Sequence, residues 1–398
     1  MLINVEKLVF PGRALARSDG KVIFVDGLLP GESAEVELVR EYARHSEARL
    51  IRIVEPSDER IEPACPYAGR CPGCVYQHLA YPGEVHAKHA QFVNVLEHKL
   101  KISVESFVQP PVAAPEPLGY RSRIRLHGAR AGENAADDDY LLGYRMADRS
   151  IIDIERCALA CAPINQELLA FRRDPQLMKQ VAGHELLLRW TEHDGVKALL
   201  SSDRSDNRQC MQEMTALGPL QSPVRGFFQV NPAVAGLLAG EFSGLLEKIQ
   251  CDCAVDLYCG VGVFALLAAD KGVTHVLGVD NDIKALRCAK KNAAALGFKQ
   301  VEWFGAKAAA VAGEAIAPLR ESNGLLVVDP PRRGLEREVV RAICQMLPPH
   351  VVYVSCSVDT MVRDAAELLK AGYKINYARM FDMFPRTPYF ETMLWFTR

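Results

Sequence analysis

The chain of 398 residues has no uninterrupted apolar run of the roughly 18 residues that a bilayer-spanning helix needs. No membrane association is therefore expected. Its first residues, Met1-Leu2-Ile3-Asn4-Val5-Glu6-Lys7, lack the positive segment and long apolar stretch of an export signal. Charge of one sign is also missing. The 47 Lys plus Arg stand against 49 Asp plus Glu, a net charge of −2. A global field that draws the chain to a polyanion is thus excluded, and any nucleic-acid partner must be met by a local basic face. Internal repeats and low-complexity tracts are absent, which argues against a solenoid or a long disordered arm.

Cysteine, by contrast, is plentiful. Twelve cysteines without an export signal point to a reducing, cytoplasmic setting, where thiols serve as metal ligands or nucleophiles rather than disulfides. Two groups of them stand out. Cys356 follows Val351-Val352-Tyr353-Val354-Ser355, an apolar, β-branched run that reads as a buried strand of a parallel sheet. Ligands bind off the carboxyl ends of such strands, so this thiol is a candidate nucleophile. Cys65, Cys71 and Cys74 crowd into a loop rich in Pro and Gly, and a fourth ligand is available from Cys157 or Cys161. Four thiolates suit either zinc or a [4Fe–4S] cluster. The spacing alone does not choose between them.

The length favours two or three domains. Residues 1–56 read as short strands. Lys21–Val25, Ala34–Val39 and Arg49–Val54 carry apolar or alternating patterns, with a Gly-Pro turn between the first two, as in an OB-like barrel. Arg40, Arg44, Arg49 and Arg52 cluster near its end, either as an RNA-binding face or as plain solvated charge. Residues 57–220 form a central region. It holds the cysteine loop and a helix from Glu84 to Leu100, with Phe92, Val95, Leu96 and Leu100 at three- and four-residue steps. It also holds Arg121, Arg123 and Arg125, which alternate on a predicted strand, and an acidic stretch from Glu133 to Asp139 that reads as a hairpin tip. Residues 221–398 alternate strands and helices, the pattern of a doubly wound parallel sheet.

In that last region the strand Ala254–Tyr258 runs into Cys259-Gly260-Val261-Gly262 and a helix start. Such glycines let the backbone pass close to a ligand at a helix N-terminus. About 20 residues further on, Asp280 ends the next strand, placed to accept hydrogen bonds from ribose hydroxyls. The third position of a dinucleotide GxGxxG fingerprint is Ala265, which favours S-adenosylmethionine over a pyrophosphate-bearing cofactor. After the following strand, Asp329-Pro330-Pro331-Arg332-Arg333-Gly334 forms a proline-stiffened loop at the cofactor edge.

In the order of these pieces the chain resembles the RNA uracil-5-methyltransferases, which make 5-methyluridine in 23S ribosomal RNA and in tRNA. The resemblance spans nearly the whole chain. It includes Phe227-Phe228-Gln229-Val230-Asn231 and Phe390-Glu391 besides the motifs above. It implies a Rossmann-like methyltransferase domain, an N-terminal TRAM barrel that binds RNA, and a central α+β domain carrying an iron–sulfur cluster. Gln229, Tyr258, Asp280 and Asp329 would contact S-adenosylmethionine, together with the turn of Gly260 and Gly262. Cys356 would be the nucleophile and Glu391 the general base. Cys65, Cys71, Cys74 and, more than Cys161, Cys157 would hold the cluster. One departure is plain. The family follows its cysteine with Asn-Pro, whereas here Ser357-Val358 stand, although Thr360, Arg363 and Asp364 are kept.

The expected activity is therefore methylation at C5 of a uridine in 23S ribosomal RNA by a cytoplasmic monomer, with the T-loop of tRNA as the alternative substrate. A catalytically impaired RNA-binding protein and a cluster-based redox sensor are the readings from other classes. The chemistry explains the residue set. Uracil C5 is a poor nucleophile until a thiolate adds to C6, and a base must later take the C5 proton. The target base must also be extruded from its stack, which puts Arg121, Arg123, Arg125 and the basic end of the barrel forward as RNA contacts.

Overall fold

The computed structural model describes residues 1–132, 139–203 and 209–398. Five strands open the chain: β1 (Leu2–Val9), β2 (Arg13–Ser18), β3 (Lys21–Val25), β4 (Ser33–Glu41) and β5 (His45–Glu55). They close into a barrel in the order β1-β2-β3-β5-β4. The barrel encloses Ile3, Val5, Ile23, Val25, Val36 and their neighbours, so every second residue of each strand turns inward. The pairing of β4 with β5 sets Glu37 opposite Arg49 and Glu35 opposite Arg52. Arg49 meets Glu37 at 2.5 Å, and Arg52 is ion-paired with Glu35. Two of the four arginines of the expected basic face, Arg49 and Arg52, are thus paired across the strands, whereas Arg40 donates to the Tyr42 hydroxyl.

The cysteine loop leads into α1 (Tyr81–Leu100). Phe92 and Leu96 of α1 enter one core with Val351, Tyr353, Leu394 and Phe396 of the C-terminal sheet. The helix therefore packs on the methyltransferase-like unit. The segment after it follows suit, with Val108 and Val112 bridging Ala378 and Phe381.

The middle of the chain holds β6 (Arg123–Arg130), β7 (Tyr140–Arg145), β8 (Ile151–Asp153), α2 (Ala162–Arg173), α3 (Pro175–Val181), β9 (Glu185–Thr191) and β10 (Gly195–Leu200). Its sheet runs β10-β9-β6-β7-β8, and a separate ribbon pairs β11 (Cys210–Thr215) with β12 (Gly218–Pro223). The acidic stretch expected at a hairpin tip falls on residues 133–138, outside the described residues. The three arginines do not share one RNA-facing surface. Arg123 donates to the carbonyls of Gly226 at 2.6 Å and Arg225 at 3.2 Å. Arg125 is exposed and pairs with Glu185 at 3.3 Å. Arg121 precedes the strand, bridges Ala160 and turns inward beside the thiol of Cys157. Strand alternation begins only at Arg123, so the pattern misplaced Arg121.

The C-terminal unit comprises α4 (Pro232–Ile249), β13 (Cys253–Leu257), α5 (Val263–Asp270), β14 (His275–Asp280), α6 (Ile283–Leu296), β15 (Val301–Gly305), α7 (Ala308–Ile316), β16 (Leu325–Val328), α8 (Arg337–Met346), β17 (His350–Ser355), α9 (Val358–Lys370), β18 (Lys374–Phe381) and β19 (Glu391–Thr397). The sheet order is β15-β14-β13-β16-β17-β19-β18. β19 runs antiparallel to both β17 and β18, so the sheet is mixed rather than wholly parallel. Val351, Val352, Tyr353 and Val354 are fully buried between helical layers. Each contributes about 1.5–3 kcal/mol by the removal of apolar surface from water. That burial fixes the end of β17, and with it Cys356. No described helix is long and apolar enough to cross a membrane.

Candidate active site

β13 delivers the glycine turn. Tyr258, Gly260 and Gly262 have φ of +69°, +55° and +90°, and α5 begins at the next residue. The two glycines serve different ends. A Cβ on Gly262 would lie 2.2 Å from the Trp303 ring, so packing alone demands glycine there. A Cβ on Gly260 would meet nothing within 4 Å, so its backbone borders open space. The Gly260 amide donates to Asp280 at 2.8 Å, and the Asp282 amide donates to the other oxygen of Asp280 at 2.7 Å. The carboxylate at the end of β14 is thereby oriented. Tyr258 donates its hydroxyl to Glu336. Gln229 is half-buried in the loop before α4. The Val230 carbonyl beside it accepts the Ser122 amide at 2.9 Å, and Asn231 caps α4. These residues form an open, oriented cradle, with donors and a carboxylate at strand ends, that fits a nucleoside-bearing cofactor.

The second half of the site lies at the ends of β16, β17 and β19. Cys356 lines a cavity of about 140 Å³ with Arg332, Ser357 and Tyr389. Burial pushes the Cys356 thiol up to about 11, with Glu391 and Asp329 adding to the rise and Arg332 opposing it. Glu391 is wholly buried at the start of β19. Burial and then the neighbouring Asp329 raise it well above the usual carboxylate range, again against Arg332. Asp329 is pushed up to about 7 by burial. The Glu391 Oε2 atom has no hydrogen-bond partner among the described residues, as is unusual for a buried carboxyl and typical of a group awaiting a ligand. Asp329 thus stands with the thiol and the base, and not only at the cofactor edge where the sequence placed it.

Two loops are clamped to hold this arrangement. Thr360 donates to the carbonyls of Arg332 and Ser357, each at 3.1 Å. Asp364 accepts from the Leu335 amide at 2.9 Å and the Tyr353 hydroxyl at 2.8 Å, so α9 grips the proline loop. The Ser357 amide donates to Ser355 Oγ at 3.0 Å. The retained Thr360 and Asp364 therefore keep the loop in place without Asn-Pro. On the other side, the Arg386 amide donates to Glu84 at 2.6 Å, and its guanidinium donates to the Leu79 carbonyl at 2.7 Å. The Arg386 carbonyl accepts the Val75 amide at 2.8 Å. Lys88 binds Asp382 at 2.7 Å and Glu84 at 2.8 Å inside the same buried cluster. This cluster, which ties the loop carrying Tyr389 to α1 and the cysteine loop, had no signal in the sequence because its members lie some 300 positions apart.

Away from this site, Cys65, Cys71, Cys74 and Cys157 line one pocket with Tyr67 and Tyr144. Cys161 does not line it and instead begins α2. Burial raises Cys71, and raises Cys74 to about 12. Neighbouring thiols add to both shifts, and Arg121 opposes them. Gln77 donates to the Cys74 sulfur at 3.6 Å, and the Tyr144 hydroxyl donates to the Cys157 sulfur at 3.5 Å. Among the described residues no three His, Cys, Asp or Glu side chains converge to hold a metal ion.

The strand order and the oriented turn at Gly260 and Asp280 define an S-adenosylmethionine-dependent methyltransferase. Residues 221–398 match the family model of tRNA (uracil-5-)-methyltransferase, and residues 1–51 match the TRAM domain. The chain is 31% identical to a 23S rRNA (uracil(1939)-C(5))-methyltransferase of Dechloromonas aromatica, over 98% of each chain. It is 30% identical to the enzyme of the same name from Pectobacterium atrosepticum, covering 100% of this chain and 93% of that one. Its fold matches the Pyrococcus abyssi tRNA (uracil-54, C5)-methyltransferase solved with S-adenosyl-L-homocysteine, at 23% identity and a TM-score of 0.75 over the full length of both. The chain belongs to the RNA uracil-5-methyltransferases.

Proposed function

We propose that this enzyme methylates C5 of one uridine in 23S ribosomal RNA, with Cys356 as nucleophile and Glu391 as general base. The observation that carries the reading is the meeting of Cys356 and Arg332 at one cavity, with the buried carboxyl of Glu391 close enough to the thiol to raise it. The full-length likeness to the two ribosomal enzymes supports the rRNA substrate. Gln229, Tyr258, Gly260, Gly262, Asp280 and Asp329 are the residues proposed to bind the cofactor. S-adenosylmethionine, when bound, supplies an electrophilic sulfonium methyl.

The thiol of Cys356 is protonated at neutral pH in the free enzyme, because burial and two carboxyls disfavour the thiolate. The thiol loses its proton to solvent through the cavity as the substrate binds, and Arg332 is the cation that offsets the charge of the thiolate. The thiolate adds to uracil C6, and the electron pair of the C5–C6 double bond moves to make an enolate with nucleophilic C5. C5 takes the methyl group and then carries both the methyl and its original proton. Glu391 removes that proton, the C5–C6 double bond returns, and the C6–S bond breaks to release the thiolate. Burial raises this carboxyl above its ordinary range, which makes its ionised form a stronger base toward the C5 proton.

Cys65, Cys71, Cys74 and Cys157 are proposed to hold a [4Fe–4S] cluster. Four thiols around one pocket fit it, as does the guanidinium of Arg121 beside them. Methyl transfer needs no electrons, so the part proposed for the cluster is structural or RNA-positioning. The proposed division of the chain is an RNA-binding barrel over 1–56, a central region over 57–220 and a methyltransferase domain over 221–398. A reducing, cytoplasmic setting is proposed from the use of thiols as ligands and nucleophile, and a monomer is expected on gel filtration.

The test is mass spectrometry of protein mixed with a 5-fluorouridine-substituted ribosomal RNA fragment and S-adenosylmethionine. Fluorine cannot leave as a proton does, so a methylated adduct on Cys356 is expected. With ordinary RNA, Glu391→Gln should stall at the same stage and lower kcat by about 10²- to 10⁴-fold. No adduct with rRNA and an adduct with tRNA would transfer the assignment to the T-loop. Tight binding of both RNAs without any adduct would favour the impaired-enzyme reading.

A further inference from the structure

Phe10 sits at the turn between β1 and β2 and lines the cavity of Cys356, although it belongs to the N-terminal barrel. The residue is 49% exposed, as are other apolar residues of the barrel such as Leu2 and Ile51, but among these Phe10 is the one that lines the Cys356 cavity. It makes an edge contact with Tyr389, at 6.1 Å between centroids and 64° between planes. Arg332 lies over the Tyr389 ring with its guanidinium carbon 4.2 Å from the centroid. Arg332, Tyr389 and Phe10 therefore form one continuous ladder from the nucleophile's cation to the cavity mouth. The turn is held in position. Gly12, at φ +94°, packs so closely on the cysteine loop that a Cβ would lie 2.6 Å from Val75 Cγ2. The Gly12 amide donates to the Val9 carbonyl at 2.7 Å. A half-exposed aromatic face, fixed in advance beside a site that must receive an extruded base, has the form of a stacking platform.

We propose that Phe10 stacks on the unpaired base next to the target uridine and so sets the register of the RNA at the catalytic cavity. The barrel then acts as a wall of the active site as well as a general RNA-binding unit. Stacking needs no hydrogen-bond code, so the platform accepts any base and fixes position rather than sequence. This proposal rests on the reading that an RNA uridine reacts at Cys356.

The experiment compares Phe10→Ala, Phe10→Leu and Phe10→Trp in the full chain on the RNA fragment that gives the adduct with wild-type protein. Expected is a rise of about 10- to 100-fold in KM for Ala and Leu, with kcat within about twofold, and near-complete rescue by Trp. RNAs carrying 2-aminopurine on either side of the target uridine supply a second readout. One position should be quenched on binding wild-type and Trp proteins but not Ala. Leu behaving as wild type would overturn the proposal, since apolar packing on Tyr389 would then suffice. A fall in kcat with KM unchanged would also overturn it, because Phe10 would be shaping Arg332 and Tyr389 rather than touching RNA. A wild-type protein that forms no adduct with either rRNA or tRNA would sink the underlying reading as well. Active wild type with insensitive variants would sink this inference alone.

Discussion

The two thiol sites of this molecule share a plan and diverge in use. At each, burial raises thiols that a nearby guanidinium opposes, Arg332 at Cys356 and Arg121 at Cys71 and Cys74, which share a pocket with Cys65 and Cys157. What differs is the company. Cys356 is a single thiol on the end of a buried strand and faces two carboxyls. The other four come from loops and face one another. A lone thiol that can be expelled again after reaction suits covalent catalysis, whereas several thiols converging from separate loops suit a shared inorganic core. Cysteine chemistry is thus assigned by number and neighbours, since burial is common to both.

The sharpest way to break the comparison is Cys356→Ala. Turnover is expected to fall by about 10⁴-fold or more, as for loss of a nucleophile, while iron content stays at the wild-type level. Iron loss in that variant, measured by metal analysis, would show that the two sites are not independent. Next in size is the exchange of Cys157 against Cys161. Cys157→Ser should lose most bound iron and its visible absorption, and Cys161→Ser should retain both. A reversed outcome would replace the fourth ligand. The smallest effect concerns Asp329. Its carboxyl moves from an ordinary 3.8 to about 7 on folding, so the folded state binds the extra proton between those values. The stability this contributes is complete below about 4 and is lost as pH rises through about 7. Melting temperature should decline over that window, and Asp329→Asn should flatten part of the decline. An unchanged slope would assign the decline to the other carboxyls raised by burial, Glu391, Asp256 and Glu84.

Much of the methyltransferase unit was legible because its signals are local. A strand, a glycine turn and an acidic strand end all fall within about 30 residues, and Ser355-Cys356 follows directly on the apolar run that buries it. The direction of β19 was not legible. An antiparallel strand buried on both faces has the same apolar run as a parallel one. Arg121 failed for a related reason, because alternation was extended two residues past the start of the strand. The arginines of the barrel were visible, but their glutamate partners depend on the register of β4 on β5. Phe10 resembles any turn residue until the fold brings Tyr389 to it from the far end of the chain.

The insertion of β19 between β17 and β18 has a consequence for the enzyme's birth. β19 is made after both strands it separates, so a nascent chain holds β17 without its final neighbour on that side. The barrel and the four-thiol loop emerge far earlier and can mature first. Glu391 opens β19, which makes the last strand to seat also the one that arms the site. A chain still being translated short of β19 therefore holds Cys356 without Glu391, the carboxyl proposed as its base.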